Sequence, residues 1–146
     1  MTLSIKLKLK GFEDLLKDIE KAGGSINAAT RECMDKSAAI METELKSKMQ
    51  SANVPQSLIG AMPAPKIESS GNRITARVGY EKGVYDPKNP SDAYKVIFLN
   101  YGTPKRTQHG KVAKRGFIQK AKRSAKKKIK AEQERTLNEI LKGLTQ

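Results

Sequence analysis

Apolar and polar residues alternate at the start of the chain. Leu3, Ile5, Leu7 and Leu9 are apolar, with Ser4, Lys6 and Lys8 between them. A period of two predicts a strand over residues 2–9 with one buried and one wet face, ended by Gly11. Lysines on the wet face would also protect the strand at a sheet edge. The period then lengthens. Phe12, Leu15, Leu16 and Ile19 predict a short amphipathic helix over residues 12–21, terminated by Ala22, Gly23 and Gly24. A longer helix starts at Ser25 or Asn27 and reaches about Gln50. Ile26, Ala29, Cys33, Met34, Ala38, Met41, Leu45 and Met49 lie on one stripe of it. The helix would be about 39 Å long. Its small and flexible residues suit close packing on a sheet or on another subunit.

Residues 51–65 carry Pro55, Gly60, Pro63 and Pro65, which predicts a long mobile connector with one helical turn at 57–62. Residues 66–69 and 73–80 read as a hairpin turning at Ser70, Gly71 and Asn72, with Ile74, Ala76 and Val78 on one face and Thr75 and Arg77 on the other. A second loop covers 83–90. Asp92 is an N-cap candidate. Tyr94, Ile97, Phe98 and Tyr101 then predict a short helix over 93–100, with a strand as the alternative because the segment is rich in aromatic and branched residues. Gly102 ends it. Residues 103–116 are polar, basic and aperiodic, and predict a mobile loop. A last helix covers 117–142. Ile118, Ala121, Ala125 and Ile129 give it a thin stripe, and Leu137, Ile140, Leu141 and Leu144 a broader one. Its polar middle predicts that it projects or is completed by a neighbour.

Charge changes this picture. The 146 residues suffice for a single domain, and they carry a formal charge of +14. Between Ala93 and Ala131 stand thirteen Lys or Arg and no acid, so nearly all the excess sits in one segment. Such a block attracts polyanions or an acidic protein face. The bland alternative is a solvated helix face. Lys111, Lys114, Arg115, Lys120, Arg123 and Lys127 are the candidates for polyanion or acidic-partner contact. No aromatics interleave with them, which argues against single-strand stacking.

Composition excludes other chemistry. One cysteine, Cys33, permits no internal disulfide framework, and its place on the helical stripe predicts an inert buried thiol. With a single histidine, His109, no common zinc constellation forms within one chain. The longest apolar run, Val96 to Leu99, is far too short to span a membrane, and no secretory h-region opens the chain. A cytoplasmic site of synthesis is the expectation. His109 has no carboxylate near it in sequence, and Asp14 and Asp18 read as one solvent face of a helix. No catalytic constellation or cofactor motif is visible, so an enzyme is not expected.

Several short patterns, in order, carry a resemblance. They are "LKGFEDLLKDIEKAG" from Leu9, the long helix after it, and Leu58 to Met62 in the connector. "RITARVGYE" from Arg73, "YKVIFLNYGTPKR" from Tyr94 and "GFIQKA" from Gly116 follow. Together they span nearly the whole chain. The layout resembles the tail-component, or head–tail joining, proteins of long-tailed bacteriophages typified by gene product ten of the lambdoid phage HK-ninety-seven. The aromatic segment ending in Gly102-Thr103 is the most specific match. That family usually carries an acid where Asn100 stands.

The resemblance implies an α+β fold, a small antiparallel sheet packed with a long central and a long C-terminal helix, in agreement with the element order. It implies a structural virion protein, made in the host bacterial cytoplasm, that completes the tail or joins it to the head. It implies no cofactor. The expected partners are further copies in a ring, tail-tube and neck proteins, and DNA contacted without sequence preference. A ring of identical subunits needs two different patches. The candidates are the first strand's edge, the Ala/Met stripe of the long helix, and the set Tyr94, Phe98, Tyr101, Gly102, Thr103 and Phe117. For the basic segment an acidic partner is favoured over lining a lumen that DNA passes through, because a strongly attractive lumen would retard DNA passage. The alternative is a small nucleic-acid-binding protein using the Lys-rich helix.

Overall fold

The computed structural model describes residues 3–70, 73–80, 91–102 and 113–146. The hairpin tip, the loop over 83–90, and Thr103, His109 and Lys111 with most of the predicted basic loop lie outside the described residues. The elements run β1 (Leu3–Leu7), α1 (Glu13–Lys21), α2 (Ile26–Ser51), α3 (Gln56–Gly60), β2 (Lys66–Ser70), β3 (Arg73–Tyr80), α4 (Asp92–Tyr101) and α5 (Phe117–Thr145). The fold is α+β, a small antiparallel sheet with long helices packed against it.

Strand order is β1-β3-β2. β3 takes the centre because it is the longest strand and alternates most cleanly: Ile74, Ala76, Val78 and Tyr80 are buried, while Arg73 and Arg77 are exposed. Ile5 stands opposite Val78 on one side, and Ile67 opposite Ala76 on the other. α2 covers the buried face. Its N-terminus is capped by the Ser25 hydroxyl, which accepts from the Ala28 amide at 3.2 Å. α4 is a helix rather than a strand. Its N-cap is Ser91, with Asp92 in the first turn.

Two hydrophobic clusters result. The larger joins the sheet to the middle of α2, to α3, α4 and the first half of α5. The smaller holds Phe12, Ile19, Ala29, Cys33 and Leu137 between α1, the start of α2 and the end of α5. Gly24 lets these chains meet, since a Cβ there would lie 2.6 Å from Leu144 Cδ1 and 2.7 Å from Ile19 Cγ2.

Three expectations are corrected. α5 does not project, because it lies along α2 through both clusters. Its polar middle is where the clusters meet. There the buried Gln133 side chain donates to Ser37 Oγ at 3.0 Å, and Ser37 donates to the Cys33 carbonyl at 2.7 Å. Residues 51–65 are no free connector: Val54, Leu58, Ile59 and Met62 enter the larger core, and the Tyr80 hydroxyl donates to the Leu58 carbonyl. The Ala/Met stripe of α2 is used inside this chain, where Met34, Ala38, Met41, Leu45 and Met49 are all buried, with Met41 also reaching the wall of a groove. The sheet and α5 of the same chain cover them.

Candidate functional site

Two features stand out from the core. The first is the joint between α4 and α5. α4 ends at Gly102, whose φ of 74° favours glycine. The Leu99 and Asn100 carbonyls accept from the Arg115 and Gly116 amides at 3.1 and 3.0 Å. Asn100, 1 % exposed, also accepts at Oδ1 from the Ile118 amide at 3.0 Å. It thereby caps α5, which has no capping side chain of its own. The Arg115 guanidinium donates to the Ala52 and Asn53 carbonyls at 2.9 and 3.1 Å, satisfying the end of α2.

Arg115 is therefore committed to the fold, although the sequence suggested polyanion contact. Phe117 is likewise a core residue with no exposed surface, because it opens the apolar stripe of α5. Tyr94 and Phe98 are half-buried neighbours with ring centroids 6.5 Å apart. Tyr101 is 48 % exposed.

The second feature is a groove of about 520 Å³ between β1 and α5. Lys6, Lys8 and Lys10 line one wall, and Lys122, Lys126 and Lys130 the other. Ile5, Leu7, Met41 and Ile129 provide apolar lining, and no acid lines the groove among the described residues. None of the six lysines forms an ion pair with a described acid. Next to them on α5, Lys128 is neutralised by the nearly buried Glu44 of α2. Lys114, Lys120 and Arg123, all singled out from sequence, surround a smaller depression of about 260 Å³ at the start of α5. Lys127 is exposed one turn further along.

The groove is the element that sequence reasoning missed. Its signals were present: lysines at every second position from a strand into the residues just past it, and at every fourth position of a helix. Nothing in the sequence placed that strand beside that helix.

No metal or nucleophilic chemistry accompanies these features. Among the described residues, no three of His, Cys, Asp and Glu could together hold a metal ion. Burial pushes the Cys33 thiol up to about 11, with the nearby Glu32 charge adding to the effect, so it is no nucleophile. No described helix is long and apolar enough to cross a membrane. No family model matches the chain, and no curated protein or solved structure matches it.

Proposed function

We propose that this chain is a structural subunit of a bacteriophage or prophage virion. It acts in tail completion or head–tail joining at the neck or the tail end. The reading starts from the ordered sequence patterns. The observation that supports it most is that two of these patterns meet: Asn100, in the middle of "YKVIFLNYGTPKR", accepts hydrogen bonds from the Gly116 and Ile118 amides at the start of "GFIQKA". Two stretches of matching residues are thus held as one unit, although they are separated in sequence.

Assembly needs two unlike surfaces on each subunit. The lysine-lined groove and the α4 surface around Tyr101 are the two that remain once the α2 stripe is assigned to the core. No covalent step is required, and no enzyme activity is proposed. The test is to delete the chain from the phage or prophage that encodes it and to examine lysates by electron microscopy. Filled heads and unjoined or incomplete tails are expected, restored to whole virions when the chain is supplied separately. Normal virions without the chain would sink the reading.

A second reading is favoured by the uncompensated charge of α5. In it the helix lies along a phosphate backbone as part of a small nucleic-acid-binding protein. That reading requires binding of duplex DNA whose log K falls by about 0.9 per phosphate neutralised as log salt rises.

A further inference from the structure

β1 is an edge strand. It pairs with β3 along one side and with no described strand along the other. A free edge presents alternating backbone donors and acceptors that an added strand would satisfy. The groove runs along this free side, because β1, α5 and Met41 of α2 line it and β3 contributes nothing.

Its two basic rows have nearly the same repeat. Lys6 lies in β1, and Lys8 and Lys10 follow at every second residue just past its end, a spacing of about 6.6 Å where the chain is extended. Lys122, Lys126 and Lys130 recur every fourth residue of a helix, about 6 Å apart. A strand with an acid at every second position repeats at about 6.6 Å as well. Laid beside β1, such a strand would share its acidic face with Lys6 and Lys8. Its other face would fall on the side of Ile5 and Leu7, toward Met41 and Ile129. Apolar residues suit that side. The lysines of α5 bound the groove opposite β1 with further positive charge.

We infer that this groove binds an extended, acidic segment of a partner protein as an added strand on β1. The inference deepens the assembly reading by naming the partner's chemistry, and rests on it for the partner's place in a virion. A phosphate backbone fits less well. It has no apolar groups for the lining around Met41 and nothing to pair with a strand edge, and among the described residues no aromatic side chain lines the groove for base stacking.

The test is fluorescence anisotropy of a labelled eight-residue peptide of alternating Glu and Val, titrated with the full chain at physiological salt. A second peptide carries Pro at two adjacent central positions and one extra terminal Glu, which keeps the charge and removes a backbone donor from each edge of the strand. A duplex of twenty base pairs is the third probe. The Glu–Val peptide is expected to bind, and the proline peptide at least tenfold more weakly. The double variant Lys122→Glu with Lys126→Glu is expected to lose at least tenfold in peptide affinity while its thermal melt stays cooperative. Equal binding of the two peptides would overturn the strand, leaving only charge attraction. Duplex binding tighter than peptide binding, with a steep salt slope, would make nucleic acid the occupant. Self-association that the double variant abolishes would make a second copy the occupant. Absence of peptide binding would overturn the inference outright. None of these outcomes decides whether virions need the chain, which the deletion experiment reads separately.

Discussion

The two halves of α5 bury similar inner faces and carry opposite outer ones. Phe117, Ile118, Ala121, Ala125 and Ile129 pack the first half into the larger core, and Leu137 anchors the second half in the smaller. On the outside the second half neutralises itself. Arg135 bridges Glu132 and Glu139 along the helix, and its hydrogen bond holds the Glu132 carboxyl below its ordinary range. The first half does the reverse. Lys122, Lys126 and Lys130 stand four residues apart with no acid among them, and like charges at that spacing destabilise a helix by about 0.2–0.5 kcal/mol per pair. This fold can build a self-compensated helix, so the uncompensated half is not a requirement of folding. Its charge makes sense as a surface for something outside the chain.

The strongest way to break the comparison is to remove what holds the first half in place. Phe117→Ala empties a fully buried site and is expected to cost about 3–5 kcal/mol in urea unfolding. Asn100→Ala leaves the helix with no side chain at its N-terminus and the buried Ile118 amide without its acceptor. A loss of about 1–3 kcal/mol is expected, with faster amide exchange confined to the start of α5.

Alkaline pH tests both clusters. Burial raises the Cys33 thiol in the smaller cluster from 9.0 to about 11. In the larger cluster burial, assisted by the Asp92 charge, raises the Tyr80 phenol from 10.0 to about 12. The unfolded chain releases these protons first. The stability they contribute is therefore complete below pH 9 and is lost as pH climbs through 11 toward 12, by about 2 kcal/mol for each group. Urea midpoints measured from pH 8 to 11.5 should fall accordingly. Cys33→Ala should remove the lower part of the fall and Tyr80→Phe the upper part.

The smallest effect has the opposite sign. Lys126→Glu creates favourable pairs with Lys122 and Lys130 and is expected to stabilise the chain by a few tenths of a kcal/mol. Peptide binding in the groove should weaken in the same variant. A variant that gains stability and keeps its binding would remove the distinction between the two halves.

Periodicity in the sequence was enough to define the elements. The alternation of residues 73–80 is the alternation of burial in β3, and the stripe from Ala29 to Met49 is the buried face of α2. Local patterns suffice there because one buried face imposes the repeat of its own backbone. Ends of elements were legible too, since glycines and capping residues act within a few positions of themselves. What covers each face was not legible. The polar middle of α5 looked unfit for packing, yet Gln133 is satisfied by Ser37, 96 residues earlier in the chain. Arg115 looked like a surface charge, yet two carbonyls at the end of α2 hold it. The lysines of β1 and α5 were plain in the sequence as two separate rows. Only the tertiary structure made them the walls of one groove, because partners so far apart in the chain are chosen by shape and hydrogen bonding across the core, and neither leaves a local pattern.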